Sequence, residues 1–150
     1  MKVAVSYVAF LSALTFPLVS QAESMCPLPD GMRASIEMTK EAIRARHRGE
    51  SKVYLERNIS SVASRLPWAG LLMQSILDEV YSTPEPLDML VHAAYRMEVC
   101  YLLHHYPESE SSLEFDLAYP LLQACESEDE QAQTHCSMRV AHQVSGIMLE

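Results

Sequence analysis

His135, Met138 and His142 stand three and seven residues apart in a stretch of helical pattern. At about 100° per residue they cluster within about 60° of one another, so two imidazoles and a thioether share one face. Soft and borderline ligands of this kind suit copper. The core stripe of the same stretch (Cys136, Val140, Val144, Ile147) lies roughly opposite, which predicts a solvent-facing line. His135 and His142 are, however, about 10 Å apart along the axis, so one ion needs a bend or an outside ligand. A polar outer face carrying one exposed methionine is the simpler account.

The other candidate groups have plain structural readings. His104 and His105 fall at the end of a helical stretch, where the carbonyl end of the helix dipole favours cations. His92 lies inside the same stretch and reads as a satisfied interior histidine. Arg44, Arg46 and Arg48, with His47 and Lys52 near, form a basic knot at another helix end; it suits helix-end compensation, or a phosphate or acidic partner. The acids from Glu126 to Glu130 lack the ligand order of a calcium loop and read as the acidic start of a helix. Gly-x-Ser-x-Gly, His-Glu-x-x-His and phosphate-cradling glycine loops are all missing from the sequence. The residues therefore read as those of a binding protein, not an enzyme, and no cofactor is implied.

Charge supports that direction. The chain has 150 residues, with 11 Lys and Arg against 20 Asp and Glu, and 49% hydrophobic residues. The excess of acid makes nucleic acid and anionic membrane surfaces poor partners, because both repel it. Most basic residues fall between positions 30 and 65, whereas between Arg96 and Arg139 there is no Lys or Arg at all. Into that gap crowd Glu108, Glu110, Glu114, Asp116, Glu126, Glu128, Asp129 and Glu130. Glu114, Asp116, Glu128 and Asp129 are the residues expected to form an acidic recognition surface for a basic protein partner.

The elements that must position these groups are all helical: glycines number only four and period-two alternation is absent. Asp30 is expected to cap a first helix to about His47, stopped by Gly49. Ser51 caps a second, with Leu55, Ile59, Val62 and Leu66 as its stripe. Pro67 suits the first turn of a third, from Trp68 to Tyr81. Thr83-Pro84 opens a fourth to His105, a fifth starts near Leu113 with Pro120 kinking or splitting it, and Ser127-x-x-Glu130 reads as a capping box for a sixth reaching Ile147 or beyond. An all-α bundle of about six helices, with the third and fourth at its centre, buries these stripes. Residues 26–106 make the core helices and 107–150 an acidic helical extension.

Residues 1–22 read as a secretory signal peptide: Lys2, an apolar run from Val3 to Phe16, a break at Pro17 and small residues to Ala22. The remaining residues, 23–150, form one domain. Its four cysteines, Cys26, Cys100, Cys125 and Cys136, imply two disulfides in an oxidising compartment, with three pairings open. The stretch from Cys26 through Arg46, Gly49, Ile76, Val80-Tyr81 and Pro84 or Pro86 to Cys100 resembles a class of small exported bacterial proteins with no assigned activity. The resemblance covers about half the chain and implies an export address and a Cys26–Cys100 bridge. We also expect Cys125–Cys136, for which Cys125 must fold back beside a cysteine about 12 Å along the last helix if that helix starts at Glu128.

Together these features point to a periplasmic or secreted binding or inhibitory protein, such as an immunity protein that neutralises a secreted toxin. A metal-binding or stress protein using the His/Met line, and an enzyme without a recognisable signature, are the alternatives. Cleavage after Ala22 predicts a mature N-terminus at Glu23, read from the intact mass of the exported protein; retention of residues 1–22, or a lipid adduct on Cys26, would overturn it.

Overall fold

Long apolar helices interrupted by proline and glycine must pack side by side, and the computed structural model, which describes residues 26–108 and 113–147, has that all-α form. The signal-peptide reading of residues 1–22, and Glu110 of the acidic run, lie outside the described residues. Seven helices occur among them: α1 Asp30–His47, α2 Lys52–Glu56, α3 Ile59–Ala63, α4 Pro67–Ser82, α5 Met89–His105, α6 Phe115–Cys125 and α7 Glu130–Ser145.

Their ends show local chemistry at work, and several differ from expectation. Asp30 is the first helical residue of α1, after Pro29, and makes no side-chain cap. The expected second helix is two five-residue pieces, α2 and α3, neither with a buried residue. Four serines, Asn58 and the β-branched Val53, Ile59 and Val62 weaken helix propensity there, and the half-burial of Leu55, Ile59 and Val62 does not compensate. Ser51 does cap α2, accepting from the Tyr54 N–H at 3.3 Å. α5 starts at Met89, because Pro84 and Pro86 hold the preceding residues extended. Asp88 is its cap, accepting from the N–H groups of Leu90 at 2.8 Å and Val91 at 3.3 Å. Pro120 is accommodated inside a continuous α6. Asp129, not Ser127, caps α7, accepting from the Ala132 N–H at 3.0 Å, and the helix stops at Ser145 where Gly146 turns left-handed.

The centre belongs to α5, which packs against α1 and α7 with α6 alongside, while α4 lies between α1 and α3. Two apolar clusters flank it. One joins Val91, Tyr95, Val99 and Leu102 of α5 to Ala118 and Leu122 of α6 and Val140 and Ala141 of α7. The other joins Ile43 of α1 to Leu72, Ile76 and Val80 of α4. Leu102 and Leu122 are fully enclosed, each contributing about 1.5–3 kcal/mol. The C-terminal helices thus wall one of the two core clusters, against α5, instead of forming an extension. At Gly70 a side chain is excluded: a Cβ there would sit 2.5 Å from that of Ala63, so glycine lets α3 lie directly on α4.

Both expected disulfides are present, Cys26–Cys100 and Cys125–Cys136. The first ties the chain before α1 to α5 across 74 residues, for which loop-closure entropy gives about 4–5 kcal/mol. The second joins the end of α6 to α7 across 11 residues, worth about 3 kcal/mol on the same basis. Two such bridges suit an oxidising, extracytoplasmic compartment. No described helix is long and apolar enough to cross a membrane.

The basic knot proves largely structural. Arg46 reaches the carboxyl-terminal end of α4, donating to the carbonyls of Val80, of Thr83 at 2.7 Å and of Pro84 at 2.8 Å. Its guanidinium also lies 5.7 Å from the centre of the Tyr81 ring, whose hydroxyl donates to the Glu50 carbonyl at 2.8 Å. Arg48 pairs with Glu41 and Glu50, and Arg44 with Glu41. Replacing Arg46 by Lys keeps the charge but loses the planar fork, so Arg46→Lys should destabilise the protein by about 1–3 kcal/mol in urea unfolding; an unchanged midpoint would show that the fork is not needed.

Candidate functional site

Two charged residues on the buried faces of α4 and α5 create the central polar feature. Glu79 interrupts the apolar face of α4 and Arg96 that of α5, and both are buried. Arg96 Nη1 donates to Glu79 Oε1 at 2.8 Å and to Ser75 Oγ at 3.2 Å. One turn before Arg96, His92 donates from Nε2 to Glu79 Oε2 at 3.0 Å. His92 is only 1% exposed and its ring stacks on Phe115 with centroids 5.1 Å apart. Two atoms of the group, His92 Nδ1 and Arg96 Nε, are enclosed without a hydrogen-bond partner. Beside them, burial holds the Tyr95 phenol well above the usual tyrosine range, and the Glu79 charge adds to the effect.

The outer side of this group opens as an acidic groove of about 370 Å³, lined by Asp78, Glu79 and Ser82 of α4 and by Glu114, Phe115 and Asp116 at the start of α6. Asp78 is engaged by Lys52 at 2.6 Å. Glu114 and Asp116 are exposed and make no ion pair among the described residues. The groove therefore places two uncompensated carboxylates around an aromatic ring, an arrangement that attracts a cation bearing an apolar stem.

Of the four acidic residues singled out by sequence, the fold brings Glu114 and Asp116 together in this groove. Glu128 and Asp129 lie beyond the far end of α6, which is about 16 Å long, and are exposed there. Asp129 is occupied as the α7 cap. Nearby Glu126 accepts from the Asp88 backbone N–H at 2.6 Å, tying this corner to the start of α5.

The His/Met line differs from the expected solvent-facing geometry. His135 is exposed and Met138 half-buried, but His142 points against α5, where Nε2 donates to Glu98 Oε1 at 2.8 Å. Its Nδ1 lies 3.2 Å from the Ile147 carbonyl oxygen. The reason is that α7 is covered on two sides, by α5 and by α6, so its buried face extends past the expected stripe to Ser137, Ala141 and Ser145. Among the described residues no group of three His, Cys, Asp or Glu side chains is placed to hold a metal ion.

Glu79 and Arg96 escaped the sequence reading, although a signal exists. A carboxylate at position 79 on the stripe of Leu72, Ile76 and Val80, and a histidine and arginine four apart on a largely apolar helix, are charges that need a buried partner. The chain matches no protein-family model, and neither a curated protein nor a solved structure shows significant similarity to it. Removing the Glu79 charge leaves Arg96 buried and uncompensated, so Glu79→Gln should cost about 3–5 kcal/mol of unfolding free energy, against about 0.5 kcal/mol for Glu114→Gln. Equal urea midpoints for the two variants would refute this division between internal and surface carboxylates.

Proposed function

We propose that this is an exported binding protein that captures a basic segment of a protein partner in the acidic groove, in the manner of an immunity protein neutralising a secreted toxin. The observation that carries the reading is the pairing of Glu114 and Asp116, both free of ion pairs among the described residues, around Phe115 in a groove whose floor is Glu79. An arginine or lysine entering there finds an aromatic face for its stem and two carboxylates for its head. The disulfide-braced scaffold favours this role, because a preformed groove loses little ordering entropy on binding.

The rest of the acidic half acts at longer range. The basic Arg96 is consumed internally by Glu79, which leaves Arg139 as the cation of that half against Glu108, Glu126, Glu128, Asp129 and Glu130 on the surface. Such a one-signed field speeds encounter with a basic partner and repels acidic ones. The interior His92 and Arg96 support binding over chemistry, since the stacked Phe115 and near-complete burial keep their atoms from a substrate.

The test is affinity capture with the oxidised protein from the extracytoplasmic fraction of its native host, followed by association kinetics with the partner so obtained. The double reversal Glu114→Lys/Asp116→Lys should slow association by about tenfold or more at low salt, an effect that shrinks as salt rises. Glu128→Lys, outside the groove, should change the rate by less than about threefold. Stability should move by only about 0.5 kcal/mol in each case. An association rate unchanged by the double reversal at low salt defeats the proposal.

A further inference from the structure

A second recess lies on a different face of α4, between α1, α2 and α4, with a volume of about 340 Å³. Ala42 and Ala45 of α1 keep one wall low, and Ile76 and Leu77 of α4 form the wall opposite. Met38 and Met73 also line it, and their unbranched, polarizable side chains adapt to varied shapes. Leu55 of α2 belongs to the third side. The lining is otherwise polar only at Glu37, Glu41 and Asn58.

The third side is also the one able to yield. α2 has no fully buried residue: it is held by half-buried Leu55 against the α1/α4 cluster and by polar contacts to α4, Lys52 to Asp78 at 2.6 Å and Gln74 Nε2 donating to Glu56 at 2.9 Å. Exposed contacts of this kind are individually weak. α3, by contrast, is seated directly against Gly70 of α4. An apolar space of this size, walled by rigid helices on two sides and by a weakly held segment on the third, has the form of a small-molecule site.

We infer that this recess binds a small apolar molecule, neutral or cationic, of about fifteen non-hydrogen atoms. The sign of the head group follows from Glu37 and Glu41. Their cationic partners Lys40, Arg44 and Arg48 do not line the recess. The hydrogen bond from Arg48 holds the Glu41 carboxyl below the usual carboxylate range, so it is ionised at neutral pH. A carboxylate or sulfonate head therefore meets carboxylate oxygens where it needs donors, whereas an amine or hydroxyl meets acceptors. The site uses residues separate from the acidic groove, so either can fail without the other.

Two fluorophores that share one anilinonaphthalene body test this on the oxidised protein. N-phenyl-1-naphthylamine is neutral, and 8-anilinonaphthalene-1-sulfonate adds a negative charge. The neutral probe should bind saturably with 1:1 stoichiometry and about tenfold tighter than the sulfonate. Octylamine should displace it at concentrations where octanoate does not. Met73→Trp, which fills the recess, should weaken the neutral probe by about tenfold or more. Glu37→Lys, at the exposed mouth, should narrow the gap between the two probes to less than about threefold while the helical circular dichroism stays that of wild type. Failure of the neutral probe to saturate, equal affinity for both probes, or a probe gap unmoved in Glu37→Lys overturns the inference. The Glu37 variant decides the matter if Met73→Trp does not fold.

Discussion

The register of α5 is the constraint on which the rest of the molecule depends. That helix carries His92, Arg96 and Glu98 in its buried surface, and their partners lie on two different neighbouring helices. His92 and Arg96, one turn apart, share the carboxylate of Glu79 on α4; Glu98 takes His142 on α7. Apolar contacts alone tolerate sliding and rotation, because leucines and valines are nearly interchangeable as neighbours. Buried charges are not. A shift of α5 by one residue turns its side chains by about 100° and strands them, at about 3–5 kcal/mol for an unpaired charge. The cost of mispairing therefore selects one arrangement of α4, α5 and α7 from the many that would bury the same apolar area.

The disulfides and the Arg46 clamp extend that arrangement outward. Cys26–Cys100 fastens the chain entering α1 to the middle of the same α5, and Cys125–Cys136 closes the α6–α7 corner. Arg46 joins the end of α1 to the end of α4 through the carbonyls of Val80, Thr83 and Pro84. Helix ends leave carbonyls without intrahelical partners, and an arginine from a neighbouring helix satisfies several at once. Residues that sequence alone groups as a loose motif (Arg46, Gly49, Val80-Tyr81, Pro84) are in this chain a single junction between two helices. Their chemistry is that of packing and hydrogen bonding, which is why they point to no reaction.

Most of the helical architecture was legible because proline, glycine and apolar periodicity report on local backbone physics. Pro67 in the first turn of α4 and Ser51 as the α2 cap are decided within a few residues, and both were read correctly. Errors arose where two local signals competed. Ser127 and Asp129 both qualify as a cap, and which one bonds depends on where the Cys125–Cys136 bridge lets the turn begin. The break between α2 and α3 is similar: Leu55 and Ile59 of the expected stripe do pack against the α1/α4 cluster, but only half-buried, and Leu66 is exposed, so burial does not hold one continuous helix. For the site, Glu114 and Asp116 were visible as acids at a helix start, while their companions Asp78 and Glu79 lie some 35 residues away, a separation that no local pattern spans. The orientation of His142 depended likewise on which sides of α7 would be covered, a property of three helices together.

Asp78 ties the two surfaces together. It lines the acidic groove, and it also holds Lys52, which anchors the α2 side of the apolar recess. The hydrogen bond to Asp78 is the main influence keeping the Lys52 ammonium above the ordinary lysine range, against the opposing effect of burial. Leu55 packs α2 against the apolar cluster of α1 and α4 beside this ion pair, so the segment is held by one charged and one apolar contact together. One carboxylate of α4 thus borders the charged surface and, through Lys52, the α2 side of the apolar recess.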